Sequence, residues 1–483
     1  MREVLRRFAV LGSTSLLTQL IAFATLAITA RRVGPANLGA YNVILSIITF
    51  LSLPISFGIT NLGIRDVAKR PDRVRDIAGE VFALQLILAA VSYALLIVVA
   101  PLIAPNDAGK RLIPVVALYL FTGTSFEWAL QAMGRMRMIA AGRIGGQVVF
   151  GALVPFLVIS GFEGIQRYAW LMVAGFAIKH VATSVFLVKT AGWPRLRVTR
   201  TRLWGRFRAS WSMSFASVMA QAYGTMDLIM LGYLSTATDA GLYAAAYRIP
   251  SAILTFSAAW SGVVFPHSAA LAAADRVRLR GQSGLLLAAT VMFALPLAVC
   301  TPFVAHGLML SVFGAPFAAA GTTLSLCTFG LALALVDVTL SSLVLALGAD
   351  RRYAYAMTLT AVFNIAVNIP VISAWGRNGA AIVAVASEAL LMVMLAREAS
   401  RRLGGLRFEL SRLARATAAV IPAVIALIAV PAGEASVWVR IALGATVYLL
   451  GTVVFRAVHA AEIRRVLSPR DLQRDSPRVV DAV

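Results

Sequence analysis

Acidic residues are scarce in this chain: 21 Asp and Glu stand against 44 Lys and Arg, and charged residues of either sign fill only 13% of 483 positions. Soluble domains carry about 25% charge, so this scarcity excludes an ordinary soluble fold. Cysteine is nearly absent. Cys300 and Cys327 both fall in apolar runs, where a thiol behaves as a small core side chain, and this argues against a disulfide framework or a cysteine metal site. Histidine is as rare, and His180, His267, His306 and His459 lie on separate segments without ligand spacing. No phosphate-binding P-loop occurs; Ala108-Gly109-Lys110-Arg111 lacks both the leading glycine and the hydroxyl. No His-Glu-x-x-His and no Gly-x-Ser-x-Gly are present. Connections between apolar runs are too short to fold as domains. These absences lead us to expect no enzyme, no metal and no cofactor.

What the chain does have is hydrocarbon: 60% of its residues are hydrophobic and its mean hydropathy is +0.83. A net charge of +23 would ordinarily point to nucleic acid. Nucleic-acid binders, however, gather their cations on folded soluble faces, whereas here the cations sit between long apolar runs, so no nucleic-acid partner is expected. A membrane span needs about 20 mostly apolar residues. That criterion yields about fourteen spans, at 8–30, 38–61, 78–104, 112–133, 144–161, 166–188, 209–234, 241–267, 284–310, 318–348, 353–374, 378–396, 414–432 and 436–456. The shortest turns fall near Gly161 and Ala374. The first run follows Arg6-Arg7 as a signal peptide would, but it is longer than the roughly 7–15 residues of a signal core and reads as a retained span. Pro54, Pro155, Pro250, Pro296, Pro302 and Pro370 are expected to kink their helices.

Orientation follows from the loops. Alternate connections carry Arg65 to Arg75, Arg135 to Arg143, Lys189 to Arg208, Arg276 to Arg280, Arg351-Arg352 and Arg397 to Arg415, while residues 234–240 and 311–317 contain no Lys or Arg. The positive-inside rule then places both termini in the cytoplasm. Gly39-Ala40-Tyr41 opens the second span and Gly241-Leu242-Tyr243 opens the eighth, each after a short polar turn. An even number of spans separates them, so both copies run the same way. This pattern predicts two six-helix lobes, 1–200 and 201–405, related as parallel repeats. Residues 406–460 add two spans and 461–483 form a cytoplasmic tail.

Few ionisable groups lie inside the spans: Glu127, Lys179, Asp227, Arg248, Asp337 and Glu388. Each costs about 2.5–3.5 kcal/mol at a helix centre and is expected to face protein or a wet cavity. Asp227 and Arg248 each lie roughly ten residues from the turn joining their spans, hence at similar depth, about 15 Å from it. One reading pairs them as neutralising ions. The other turns the planar Arg248 guanidinium to a cavity, where it suits a phosphate. Lys179 would supply a second mid-membrane cation, and Arg31 a third at a helix end. The acids Asp227, Glu127, Asp337 and Glu388 are candidates for a proton or sodium site or for ion pairs. Gln85, Gln131, Gln147, Gln221, Asn364 and Asn368 suit interhelical hydrogen bonds better than sugar binding. Gly142-x-x-x-Gly146 reads as helix packing.

Several blocks resemble bacterial polysaccharide-unit flippases, the Wzx-like branch of the multidrug/oligosaccharidyl-lipid/polysaccharide exporter superfamily. They are Thr29-Ala30-Arg31-Arg32-Val33-Gly34-Pro35-Ala36-Asn37-Leu38-Gly39-Ala40-Tyr41, Gly63-Ile64-Arg65-Asp66, Met226 to Gly232, Ala240 to Pro250, Phe313 to Phe317 and Trp375 to Ala381. The resemblance implies twelve to fourteen helices in two lobes around a cationic cavity. It also implies that a polyprenyl-pyrophosphate-linked oligosaccharide repeat unit is moved from the cytoplasmic to the periplasmic leaflet of the bacterial inner membrane by alternating access. Surface or exopolysaccharide synthesis, such as that of O-antigen, would be the purpose. A polysaccharide polymerase and glycosyltransferases of the same pathway, with the surrounding lipids, are the implied partners. Arg248, in a Tyr-x4-Arg-x-Pro setting, occupies the place of a cavity-facing arginine in related flippases. The chain departs from them at Thr25 and Ser46, where relatives carry cations within the first two spans. A cation-coupled multidrug or metabolite antiporter of the same superfamily is the rival reading. A glycan polymerase or ligase is disfavoured by the bare outer loops.

Overall fold

The computed structural model describes the backbone of residues 2–104, 106–196, 199–406, 409–431 and 436–455, and the side chains within them except at 2–13, 15–16, 57, 212–223 and 256. His459, the predicted tail at 461–483 and the side chain of Gln221 lie outside the described residues. The described residues are helical, without a strand. In chain order the α-helices are α1 (Arg2–Lys69), α2 (Val74–Ile103), α3 (Asp107–Val116), α4 (Glu127–Ala132), α5 (Met136–Leu157), α6 (Gly161–Ala191) and α7 (Arg200–Leu234). They continue as α8 (Ala237–Ala274), α9 (Arg276–Phe313), α10 (Gly321–Ala346), α11 (Asp350–Leu403), α12 (Leu410–Ala429) and α13 (Ser436–Val454). Each of the fourteen predicted spans overlaps one or more of these helices, several running a few residues past a helix end. Among the described residues, eleven helical stretches are long and apolar enough to cross a membrane. Two of them, in α1 and α11, each hold two predicted spans, and the span at 209–234 lies in α7.

The bends inside α1 and α11 have one cause. Gly34 (φ 77°) and Gly376 (φ 53°) adopt left-handed backbone, which a side chain disfavours, and each turns one helical rod into two. The short turn expected near Ala374 is thus present as a sharp break at Gly376 between two helical segments. The fourth span is broken instead of bent. After α3 the chain tightens into a 3₁₀ segment, Ala117–Thr124, and restarts at Glu127. Asn106 caps α3 by accepting from the Gly109 amide at 2.7 Å, and Asp275 caps α9 by accepting from Val277 and Arg278 at 2.9 and 3.0 Å.

The chain divides into two compact units, Met1–Ala244 and Ala245–Val483. In the first, Ile59, Val67, Ile77, Val81, Trp128 and Leu187 form an apolar core joining α1, α2, α4 and α6. The two Gly-x-Tyr segments predicted as a repeat meet in this unit. A β-carbon on Gly39 would lie 2.6 Å from the Gly241 nitrogen and one on Gly241 2.9 Å from the Gly39 nitrogen, so each glycine is the hole into which the other backbone fits. The predicted Gly142/Gly146 packing is present as well: a side chain on Gly146 would collide with the Gly175 carbonyl on α6. In the second unit, α12 and α13 pack on α9 through Ala419, Val420, Ala423 and Tyr448, and the Tyr448 hydroxyl donates to the Met292 carbonyl at 2.5 Å.

Candidate functional site

Each unit carries its own polar cluster inside the apolar helices. In the first it centres on Glu127, the first residue of α4, put there by the break in the fourth span. Arg143 of α5 grips this carboxylate with two parallel hydrogen bonds, Nε to Oε1 and Nη2 to Oε2, both 3.1 Å. Lys179 of α6 approaches the same carboxylate at 3.8 Å, with its Nζ 5.5 Å from the centre of the Phe176 ring. His180 Nδ1 lies 3.1 Å from the Phe176 carbonyl and its Nε2 3.4 Å from Thr124 Oγ1, so both ring nitrogens meet protein. Two cations share one carboxylate here, which leaves one positive charge in excess.

Arg143 is the residue that sequence reasoning missed. It was assigned to a basic connection because α5 starts at Met136, eight residues earlier than the predicted span. Its partner lies across a chain break on another helix, so no local spacing marks it. Arg440 is a second omission: it sits in α13, 9% exposed, donating from Nε to the Leu427 carbonyl at the end of α12 at 2.9 Å. Arg32 plays a similar part for α5, donating at 2.6 Å to both the Pro155 and Val158 carbonyls left open at that helix end. Its neighbour Arg31 is exposed, three residues before the Gly34 bend.

In the first unit, Asp227 on α7 accepts from the Tyr243 hydroxyl at 3.1 Å. The second tyrosine of the repeat is thereby tied to an acid, while its counterpart Tyr41 donates to the Met172 sulfur at 2.8 Å. Gln85 is buried and its amide reaches Thr60 on α1 at 3.4 Å, the interhelical role expected of it.

In the second unit a line of hydroxyls and amides crosses the helices. Trp260 donates to Thr339 at 3.0 Å, Thr339 meets Thr290 at 2.8 Å, and Ser261 meets Ser342 at 3.2 Å. Asn368 donates to Asn364 at 3.1 Å and Asn364 to Ser387 at 3.2 Å, all three buried. Asp337 on α10 lies beside this line, 4% exposed, and no hydroxyl, amide or cation among the described residues reaches its oxygens. Its electrostatic neighbour is another acid, Glu388 in the second half of α11. No Lys, Arg or His pairs with Asp337 among the described residues. Arg248 stands eleven residues into α8, about 16 Å from the helix start. It is exposed and pairs with no carboxylate among the described residues.

A family model described as polysaccharide biosynthesis protein matches residues 4–272. Among solved structures, the chain is similar to "Lipid II flippase MurJ, inward closed conformation", with a TM-score of 0.72 over 92% of this chain and 98% of that one at 15% identity. It is also similar to the inward-facing conformation of a multidrug resistance MATE family transporter of the MOP superfamily, with a TM-score of 0.66 over 80% and 94% of the two chains at 14% identity. An outward-facing structure of a transporter of that same family gives 0.52 over 82% and 96% at 15% identity. No curated protein sequence matches the chain. At these identities the likeness is one of fold.

Proposed function

This chain belongs to the polysaccharide biosynthesis protein family, and from that premise we propose that it is a flippase for a polyprenyl-diphosphate-linked oligosaccharide, carrying the repeat unit from the cytoplasmic to the periplasmic leaflet of the inner membrane. The observation that carries this reading is Arg248: a guanidinium exposed eleven residues into an apolar helix and paired with no carboxylate among the described residues. Lipid contact there would cost about 2.5–3.5 kcal/mol, so its exposed fork belongs against water or an anionic ligand. A guanidinium presents two parallel donors that match a phosphate edge. A diphosphate and its sugars cannot cross about 30 Å of hydrocarbon bare, and a wet cationic path replaces their hydration. Lys179, in the cluster with one excess positive charge, and Arg31 are the further cations of that path. The likeness of the fold to a lipid II flippase supports the same reading. Release into surface polysaccharide synthesis would hand the unit to a polymerase, after glycosyltransferases have built it.

A coupling ion fits the second unit. Two neighbouring carboxyls, one of them buried and reached by no cation among the described residues, favour binding of a cation, proton or sodium. Asp337 and Glu388 are therefore the proposed coupling site. The same pair is the observation that favours the antiporter reading, since a cation-coupled drug exporter also needs such acids and the MATE fold is shared.

One assay addresses all of this: flipping of a fluorescent polyprenyl-diphosphate glycan in proteoliposomes, with and without an imposed proton or sodium gradient. Arg248→Ala is expected to slow flipping at least tenfold, and Arg248→Lys, which keeps the charge without the fork, to slow it less. Asp337→Asn is expected to flatten the gradient dependence. Wild-type flipping by Arg248→Ala would remove that residue from the mechanism, and export of cationic dyes without glycan flipping would favour the antiporter.

A further inference from the structure

At the basic end of the first unit, a cavity of about 450 Å³ opens between the end of α1, the following 3₁₀ turn Pro71–Arg73, and the starts of α2 and α7. Five cations line it, Lys69, Arg70, Arg73, Arg202 and Arg206, against only two carboxylates, Asp66 and Glu80. Arg206 is the built part of the site. Its side chain is 10% exposed and bridges Asp66 at 3.1 Å and Glu80 at 2.8 Å, with Arg202 adding a third contact to Glu80 at 3.3 Å. Both acids are thus consumed in fixing the wall. Arg73 leans on Asp76 at 3.8 Å outside the lining, while Lys69 and Arg70 pair with no carboxylate among the described residues. The cavity keeps an excess of two to three positive charges.

Immediately alongside runs a groove of the opposite character. Leu84, Ile87 and Leu88 of α2 and Leu203, Trp204 and Phe207 of α7 form its apolar walls, Arg200 and Thr201 at the start of α7 complete the lining, and it holds about 850 Å³. The two hollows share both helices. Along α2 the lining passes from Ile77 and Glu80 in the cationic cavity to Leu84 and Leu88 in the groove, about 12 Å from Glu80 to Leu88. Along α2 the groove lies farther from the helix start than the cavity, while on α7 the two hollows lie side by side, Arg202 and Arg206 lining the cavity and residues between Arg200 and Phe207 the groove. Exposed Trp193, Trp204 and Trp211 mark this end as headgroup level, where indole rings gather.

We propose that cavity and groove together form a loading site for the diphosphate lipid itself, the diphosphate held by Lys69, Arg70 and Arg202 and the first isoprenoid units laid along α2 and α7. The ligand class follows from charge and shape. A glycosylated lipid diphosphate carries about two negative charges, which match the excess of the cavity, whereas a glycerophospholipid such as phosphatidylglycerol carries one and leaves the wall unneutralised. An apolar groove continuing from an anion site at headgroup depth suits an amphiphile and is wasted on a free phosphate. This inference rests on the flippase reading but uses residues remote in sequence from Arg248, so the two can fail separately.

The test is binding of farnesyl diphosphate to the full-length protein in detergent, in the wild-type and Arg248→Ala backgrounds, so that affinity for a second site is removed from the comparison. Lys69→Ala/Arg70→Ala, both exposed positions, is expected to weaken binding at least tenfold in both backgrounds, with farnesol binding poorly to all forms. Each single substitution reads in the same direction and stands in should the double variant fail to purify. Inorganic pyrophosphate is expected to bind at least tenfold more weakly than farnesyl diphosphate. Affinity within twofold of wild type for the cation variants would overturn the proposal. Competition by dioleoylphosphatidylglycerol as effective as by farnesyl diphosphate would overturn it too, marking the cavity as a contact for bulk lipid.

Discussion

Glu127 is held from two sides by unequal partners. Arg143 matches both carboxylate oxygens with its planar fork, while Lys179 stands at 3.8 Å, beyond good hydrogen-bond distance. The arginine is the structural partner and the lysine the cation with charge to spare. Glu127→Gln would leave the two cations facing each other in a partly buried site. We expect it to destabilise the protein by about 1–3 kcal/mol, less than for a fully buried pair because Arg143 is nearly half exposed. Lys179→Gln is expected to cost less, and Glu127→Gln/Lys179→Gln to recover part of the loss. Thermal unfolding in detergent measures all three; a Glu127→Gln midpoint equal to wild type would refute the arrangement. Sequence reasoning singled out both Glu127 and Lys179 as intramembrane ions, because charge inside an apolar run is conspicuous. It missed Arg143, whose link to them exists only once α4, α5 and α6 converge.

At the scale of elements, the repeat segments make the sharpest case. Gly39 and Gly241, some 200 residues apart, allow α1 and the start of α8 to cross at backbone contact. A methyl group on Gly241 would drive into the Pro35 carbonyl oxygen, and one on Gly39 into that of Ala237. Since a carbonyl of a packed helix yields less readily than a side chain, Gly241→Ala is expected to destabilise by about 1–3 kcal/mol. The check is the fluorescence-detected elution profile after graded heating, in which an unaltered midpoint would show that the crossing is loose. Helix extents were largely legible in the sequence, since about 20 apolar residues between basic clusters admit little else. The breaks at Gly34 and Gly376 were legible as well, since predicted spans end at 30 and 374 and resume at 38 and 378. A span boundary and a bend both appear as a short polar interruption, and only the hydrogen bonding through the interruption separates them.

For the whole molecule, the basic connections predict a topology that labelling can read. Arg351→Cys lies in a basic connection and Thr238→Cys in a bare one, both at exposed positions. In a background lacking Cys300 and Cys327, a membrane-impermeant maleimide applied to spheroplasts is expected to label Thr238→Cys and to spare Arg351→Cys until the membrane is opened. The reverse pattern would invert the orientation and with it the proposed direction of transport. The amino-acid sequence by itself determined that the chain is a helical multi-pass membrane protein and where most of its spans fall. Those properties depend on hydrophobic runs and loop charge, which are local and additive along the chain. Tertiary structure alone decided which charges are neutralised and which remain available: Glu127 is claimed by Arg143, Asp337 faces another acid, and five cations from the end of α1, the following turn and the start of α7 enclose a cavity beside a largely apolar groove. Such outcomes depend on distances between helices, and pairing across a fold leaves no trace in spacing along the chain. The large net charge, mostly an orientation signal when read in sequence, thus gathers in the first unit into a cavity lined by five cations and two carboxylates.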